Sequence, residues 1–502
     1  MTAPPRIGPS FLNGRLLAAS ALWSLAAQVI PAIAGVAAIP FIVRGLGVER
    51  FGVLTLAWVV IGYFSLFDLG LGRAITKFAA ELLPTAARAD IDRLLWTAWY
   101  LMLALGGIGA VALAVAAPWL VRTAIKLPPD LEPETMQTFY LLALSIPIVV
   151  LTAGLRGLLE AAQQFRLTSL VKIPTGLLTF IIPLVVLRFT PNLAVVVLAL
   201  IVVRVVGAVV YAVMCQRSVH RHHAPTPLDR RAARALLGFG AWMTVSNVVS
   251  PLMVSVDRFF VGAFLTVSAV AYYATPFEAV TKLLIIPGAI TAVLFPAFST
   301  ASRIDPAKMV GLFRTGSRAI FVSVYPMAFV VITFAPELLR VWLGSVFAVQ
   351  SADVLRWLAL GVLTNSLATL PFALLQGVGR SDTTAKIHLL EAPVYLVLMI
   401  WLIRGYGING AAIAWCARSM LDMALLYWSA ARYLRPAAPG WLRDMTIVAA
   451  LTPVMGAAFL VQTPLQKVFL TTILVILFAV LTWRWTVAGG RGTGILRLLT
   501  GR

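Results

Sequence analysis

Stretches of about 20 or more mostly apolar residues follow one another along nearly the whole chain, separated by short polar turns. An α-helix of about that length spans a hydrocarbon layer about 30 Å thick. The pattern therefore predicts an all-α polytopic membrane protein. Lipid supplies no water to unpaired backbone groups, so only helices or closed barrels can span it. The alternating ten-residue pattern of barrel strands is not seen in this sequence. Of 502 residues, 61% are hydrophobic and 12% charged, whereas an ordinary soluble domain has about 25% charged. A soluble multidomain enzyme is excluded. The positive excess, 40 Lys+Arg against 19 Asp+Glu for a net +21, lies between apolar runs and not on a solvated face. It therefore does not read as a nucleic-acid-binding surface.

Fourteen spans are predicted, at 17–43, 52–72, 94–120, 137–159, 167–188, 192–216, 236–262, 268–296, 316–335, 355–377, 383–403, 408–431, 442–461 and 466–486. Arg6 and Arg15 resemble the charged start of a signal peptide. The apolar stretch after them is longer than the roughly 7–15 residues of a signal core, which predicts an uncleaved first span. With the N-terminus inside, 27 Lys and Arg fall inside, 9 outside and 4 within spans. The positive-inside rule then predicts that both termini are cytoplasmic. Asp130, Glu132 and Glu134 make the connection between spans three and four acidic, on the outer side. Cys215 and Cys416 fall in or beside predicted helices, so no disulfide framework or thiolate metal site is expected.

Shifting the chain against itself by 219 residues aligns span one with span seven: Trp23 meets Trp242, Gln28 meets Asn247, and Leu46-Gly47-Val48 meets Leu265-Thr266-Val267. An offset of six spans makes the halves parallel repeats about an axis along the membrane normal, an arrangement used by transporters. The expected domains are a six-helix bundle at 1–217, a basic linker at 218–234, a second bundle at 235–431, and two appended helices with a basic tail at 432–502. Chance similarity among apolar helices is the competing explanation of the repeat.

Ionisable residues inside a membrane cost about 2.5–3.5 kcal/mol each on insertion scales and mark functional positions by default. Arg156/Glu160, Glu278/Lys282, Arg418/Asp422 and Lys77/Glu81 have i,i+4 spacing, which stacks them on one helix face and allows self-neutralisation. Arg204 differs, because it sits about 18 Å from either end of an acid-free span, too deep for easy snorkelling. It is read either as a substrate-facing cation or as half of an ion pair with Asp257 or Glu278. Asp257 and Arg258 project about 100° apart, so they cannot shield each other from lipid. Glu278, Asp257, Glu160, Glu391 and Asp422 are candidate carriers of a proton or sodium ion. His220, His222 and His223 lie in an Arg-rich linker that repels divalent ions, and no resident metal or cofactor is expected. The outer loops are short and carry no histidine, which argues against an integral-membrane glycan polymerase, ligase or acyltransferase.

Val48-Glu-Arg-Phe-Gly-Val-Leu-Thr-Leu-Ala-Trp58 leads to Tyr63-Phe-Ser-Leu-Phe-Asp68-Leu-Gly70-Leu-Gly72-Arg73-Ala-Ile-Thr-Lys77-Phe-Ala-Ala-Glu81. This wording resembles the polysaccharide-exporter branch of the multidrug/oligosaccharidyl-lipid/polysaccharide (MOP) superfamily, the group that includes O-antigen flippases. Asp257-Arg258-Phe-Phe-Val-Gly262 with Val270-Ala-Tyr272-Tyr273-Ala-Thr-Pro276 is a second local match. The resemblance implies two six-helix bundles in a V and alternating access in a bacterial inner membrane. It implies a polyprenyl-diphosphate-linked glycan as substrate, in an O-antigen or exopolysaccharide pathway, with polymerase and glycosyltransferases as membrane partners. Candidate substrate-binding cations are Arg204, Arg258, Lys282, Arg73, Lys77 and Arg156; candidate coupling or cavity acids are Asp68, Asp257, Glu278, Glu160, Glu391 and Asp422. A cation-coupled drug exporter of the multidrug and toxic compound extrusion (MATE) type and a lipid II flippase are the alternatives.

Overall fold

The computed structural model describes residues 14–63, 70–82, 88–218, 226–304, 306–434, 454–461 and 463–487. Every regular element among them is a helix. They form two compact units. The first holds the described residues up to Ser255 together with Thr266–Ser268, and the second holds Val256–Leu265 and the described residues from Ala269 onward. The division between the units falls inside a helix, after Ser255.

The first unit contains α1 (Gly14–Leu46), α2 (Val48–Tyr63), α3 (Leu71–Leu82), α4 (Arg88–Trp119), α5 (Glu132–Ala161), α6 (Phe165–Val186), α7 (Leu193–Ser218) and most of α8 (Arg230–Phe264). Gly47, at φ 80°, lets α2 begin one residue after α1 ends. Small residues and prolines bring the helices together, as is usual where lipid gives no hydrophobic drive for association. A Cβ on Gly157 of α5 would collide with the carbonyl oxygen of Gly72 of α3. The Thr76 hydroxyl reaches the Gly157 carbonyl oxygen across the same contact at 3.1 Å and the Gly72 carbonyl oxygen of its own helix at 3.0 Å. Gly72 is thus a packing residue. α5 and α7 run parallel: Glu134 accepts the Leu193 N–H near one pair of ends, and the Cys215 thiol donates to Leu155 O near the other.

The second unit contains the end of α8, α9 (Val267–Val280) continued through a 3-10 helical segment at Thr281–Leu284 into α10 (Ile285–Ile304), α11 (Pro306–Thr333), α12 (Ala335–Leu343), α13 (Ser345–Gly377), α14 (Ser381–Leu434), α15 (454–460) and α16 (Pro464–Val487). α13 is its central helix, packing against α10, α11, α12 and α14. α14 is broken at Gly407 (φ 59°, ψ −136°), between predicted spans 383–403 and 408–431. α16 docks through Lys467 Nζ on Glu337 Oε1 at 2.6 Å and through Phe478 stacked on Tyr325.

Among the described residues nine helices are long and apolar enough to cross a membrane, against the fourteen spans expected. The shortfall has identifiable origins. The two spans that meet at Gly407 form one broken helix. Predicted span 52–72 is divided between α2 and α3, and residues 64–69 lie outside the described ones. Span 442–461 lies mostly outside them, and the apolar helix within 466–486 is short. Span 236–262 falls in α8, where the side chains of 239–255 are not described.

Two outcomes follow from this packing. Gly157→Ala should destabilise the first unit by about 1–3 kcal/mol in a detergent-based unfolding titration, because the α3 backbone has no room to yield. Partial burial opposes ionisation of Glu337, but the Lys467 hydrogen bond outweighs it and holds the carboxyl below the usual glutamate range. A depressed carboxylate stabilises above its unfolded value, about 4.3, and loses that contribution as pH falls through its folded value. Protease protection of α16 should therefore persist at neutral pH and fall only in acid, whereas Glu337→Gln should abolish that pH dependence.

Candidate functional site

Charge is most concentrated where the end of α8 meets α9 in the second unit. Asp257 is fully buried and accepts hydrogen bonds from the Tyr273 hydroxyl and, at 2.8 Å, from the Arg258 N–H. Arg258 turns the other way. Its Nη2 lies 2.7 Å from Glu278 Oε1, and its guanidinium sits 5.0 Å from the Phe277 ring centre. The second Glu278 oxygen takes Lys282 Nζ at 3.0 Å. The result is a continuous chain, Tyr273–Asp257–Arg258–Glu278–Lys282, in which two acids neutralise two cations. Desolvating such charges is tolerable only when they are paired and hydrogen-bonded.

Phe277 packs edge-on against Trp415, with centroids 5.3 Å apart, and links this chain to a second polar group on α14. There the Arg418 guanidinium lies 5.7 Å from the Tyr395 ring centre, and Asp422 Oδ1 lies 3.5 Å from His388 Nε2. The expected Arg418–Asp422 ion pair is replaced by these two contacts. Glu391 is 1% exposed, and neither carboxylate oxygen has a hydrogen-bond partner among the described residues. Asp422 and Arg418 are the charges that act on it. Across the α8, α9 and α14 groups, Asp257, Glu278, Glu391 and Asp422 face Arg258, Lys282 and Arg418. Among these groups the acids exceed the permanent cations by one, and His388 beside Asp422 is a further titratable group in contact with them.

The first unit has the opposite imbalance. Arg156 Nε lies 3.5 Å from Glu160 Oε1 on α5, as the spacing predicts. Lys172 on α6 lies in the field of both, so two cations share one acid. Arg204, half-buried on α7, has neither a hydrogen bond nor an ion pair among the described residues. Arg73 and Lys77 are exposed on α3, and Asp68 lies outside the described residues. Among the described residues no cluster of three His, Cys, Asp or Glu could hold a metal ion.

Sequence reasoning missed Tyr273, Tyr395 and the His388–Asp422 contact. Tyr273 lies 16 residues from Asp257, across the turn between α8 and α9. Periodicity within one helix carries no signal for a pair that depends on how two helices cross.

The arrangement defines an all-helical, multi-pass membrane protein with charged side chains held inside its spans. Solved structures that share the fold include the lipid II flippase MurJ, inward closed (TM-score 0.71, 12% identity, covering 93% of this chain and 99% of that one), and an inward-facing MATE-family multidrug resistance transporter of the MOP superfamily (TM-score 0.67, 16% identity, 84% and 96%). The sequence adds the family. Residues 41–352 match the polysaccharide biosynthesis protein family, and the chain belongs to it. It is 30% identical over 412 residues to a Shigella flexneri protein provisionally named as an O-antigen transporter, covering 82% of this chain and 96% of that one. It is 25% identical over 284 residues to the Escherichia coli lipopolysaccharide biosynthesis protein WzxC, covering 56% and 54%.

Removing one member of the α8–α9 chain leaves a buried charge without its partner. Glu278→Ala should cost about 3–5 kcal/mol in thermal or denaturant unfolding, because Arg258 is then stranded. In contrast, the double variant with Arg258→Met should recover most of that loss.

Proposed function

We propose that this protein is a flippase that moves a polyprenyl-diphosphate-linked oligosaccharide, an O-antigen or exopolysaccharide repeat unit, from the cytoplasmic to the periplasmic leaflet of a bacterial inner membrane. The observation that carries the reading is the match to the polysaccharide biosynthesis protein family together with near full-length similarity to the Shigella flexneri protein. The charge pattern agrees with it. Among its described residues the first unit presents Arg204 without an acidic partner, and Arg156 and Lys172 with one acid between them. Guanidinium groups suit phosphate oxygens and acidic sugars, and a low-dielectric setting strengthens the attraction. No covalent step is required: head-group binding and alternating access suffice, while the lipid tail stays in the bilayer.

The finer architecture belongs to the same proposal. Fourteen spans, as two six-helix repeats with two appended helices, accommodate the 219-residue offset: Val48 opens α2 and Val267, 219 residues on, opens α9. The excess of Lys and Arg on alternate connections puts both termini in the cytoplasm, with polymerase and glycosyltransferases as neighbours in the membrane. Coupling to a proton or sodium gradient would run through Glu391, whose buried carboxyl, beside Asp422, has no hydrogen-bond partner among the described residues.

Deleting the gene should make the lipid-linked repeat unit accumulate on the cytoplasmic side and remove the surface polysaccharide, as followed by extraction of lipid-linked saccharides and gel analysis. Unchanged surface polysaccharide, together with hypersensitivity to cationic drugs, would point to a drug exporter instead.

A further inference from the structure

We propose that α5, α6 and α7 of the first unit carry a two-step track for a diphosphate group, with Arg156 and Lys172 as the step near the helix ends and Arg204 as the step in mid-span. The proposal rests on the flippase reading and deepens it by assigning the diphosphate to one unit and to three side chains.

The three cations reach the same side of the same helices. α5 ends at Ala161 and α6 begins at Phe165, so their ends lie together, and α7 runs parallel to α5 to finish at Ser218. Counting from those ends at 1.5 Å per residue, Arg156 lies about 8 Å, Lys172 about 10 Å and Arg204 about 21 Å along its helix. Tyr211 follows Arg204 by seven residues, two turns along and within about 20° of the same direction. Its hydroxyl donates to Thr168 O of α6, and it lies in the field of Arg156 and Glu160. Between the two, Gly207 packs against Thr175 of α6. The α7 face that bears Arg204 is therefore the face turned toward the α5–α6 cations.

Availability separates these groups from the other candidates. Arg258 and Lys282 are held by Glu278, and Asp257 adds a second acid beside Arg258. A ligand would have to break that network to use them. Among the described residues, Arg156 and Lys172 share Glu160, and Arg204 has no acidic partner. An uncompensated guanidinium in mid-span is expensive to keep, and an anion arriving from outside the chain offsets that expense. Arg presents a planar fork that two phosphate oxygens can engage at once, whereas the Lys ammonium acts as a mobile point charge. The pairing suits capture at Lys172 followed by oriented holding at Arg204.

An anionic membrane lipid carries a phosphate too, so the test separates the two sources. The full-length protein in phosphatidylcholine nanodiscs is titrated with polyprenyl diphosphate, with polyprenol lacking phosphate, and with phosphatidylglycerol. The variants are Arg204→Met, Arg204→Lys, Lys172→Gln and the control Arg188→Ala, whose side chain is exposed at the other end of α6. Arg204→Met and Lys172→Gln should each weaken polyprenyl diphosphate binding tenfold or more and leave polyprenol binding unchanged. Arg204→Lys should retain part of the affinity and Arg188→Ala all of it. Thermal stability of Arg204→Met should match or exceed wild type, because an uncompensated buried charge has been removed. Wild-type affinity in Arg204→Met, or loss of its folded state, would overturn the track, the latter because it makes Arg204 structural. Equal losses for phosphatidylglycerol and polyprenyl diphosphate would overturn the diphosphate assignment in favour of a lipid head-group site. Failure of the wild-type protein itself to bind polyprenyl diphosphate would overturn the flippase reading along with the track, whereas failure confined to the variants' predicted losses leaves that reading standing.

Discussion

The cost of an ionised side chain in a low-dielectric interior governs this molecule. Each charge inside the spans must be neutralised by a neighbour, by a proton or by a ligand, and the two units meet that demand differently. In the second unit, Arg258 and Lys282 converge on Glu278 while Asp257 is held by Tyr273 and a backbone N–H. Among its described residues the first unit leaves Arg204 unmatched and gives Arg156 and Lys172 one acid between them. One charged network closes on itself and the other stays open to an anion. A glycan-lipid carrier needs both, since it must keep its scaffold intact while its cargo comes and goes.

Close packing makes those placements definite. Gly72 against Gly157 sets α3 on α5, and Gly207 lets α7 settle on Thr175 of α6. At such contacts a helix cannot roll without meeting its neighbour, the Gly72 backbone at Gly157 and the Thr175 methyl at Gly207, so glycine and threonine positions set the directions in which the charged residues project. Breaks serve the same end. Gly407 ends one run of α14 and starts the next, and this division separates the stretch bearing His388, Glu391 and Tyr395 from the one bearing Arg418 and Asp422.

Much of the fold was legible because hydropathy acts locally. Apolar length predicted the helices, and the offset that aligned Leu46-Gly47-Val48 with Leu265-Thr266-Val267 located two helix–turn–helix joints that the structure contains. The Arg156/Glu160 and Glu278/Lys282 contacts were also legible, because i,i+4 geometry is a property of one helix. Arg418 and Asp422 have the same spacing, yet they turned to Tyr395 and His388 instead, since neighbours from the other half of α14 compete for them. Tyr273 was invisible for the same reason in reverse. A polar contact between two helices is written in their crossing, which no single stretch of sequence encodes.

The central claim is that the chain carries a glycan-linked lipid diphosphate across a bilayer. Its most direct measurement uses purified protein reconstituted into liposomes loaded on one leaflet with a labelled polyprenyl-diphosphate oligosaccharide. A membrane-impermeant reagent added to the opposite side reports the label as it crosses. The account predicts a protein-dependent, time-dependent gain in accessible label, with no transport of cationic dyes in parallel vesicles. Accessibility no faster than in protein-free liposomes, or movement of the dyes in place of the glycan lipid, would contradict it.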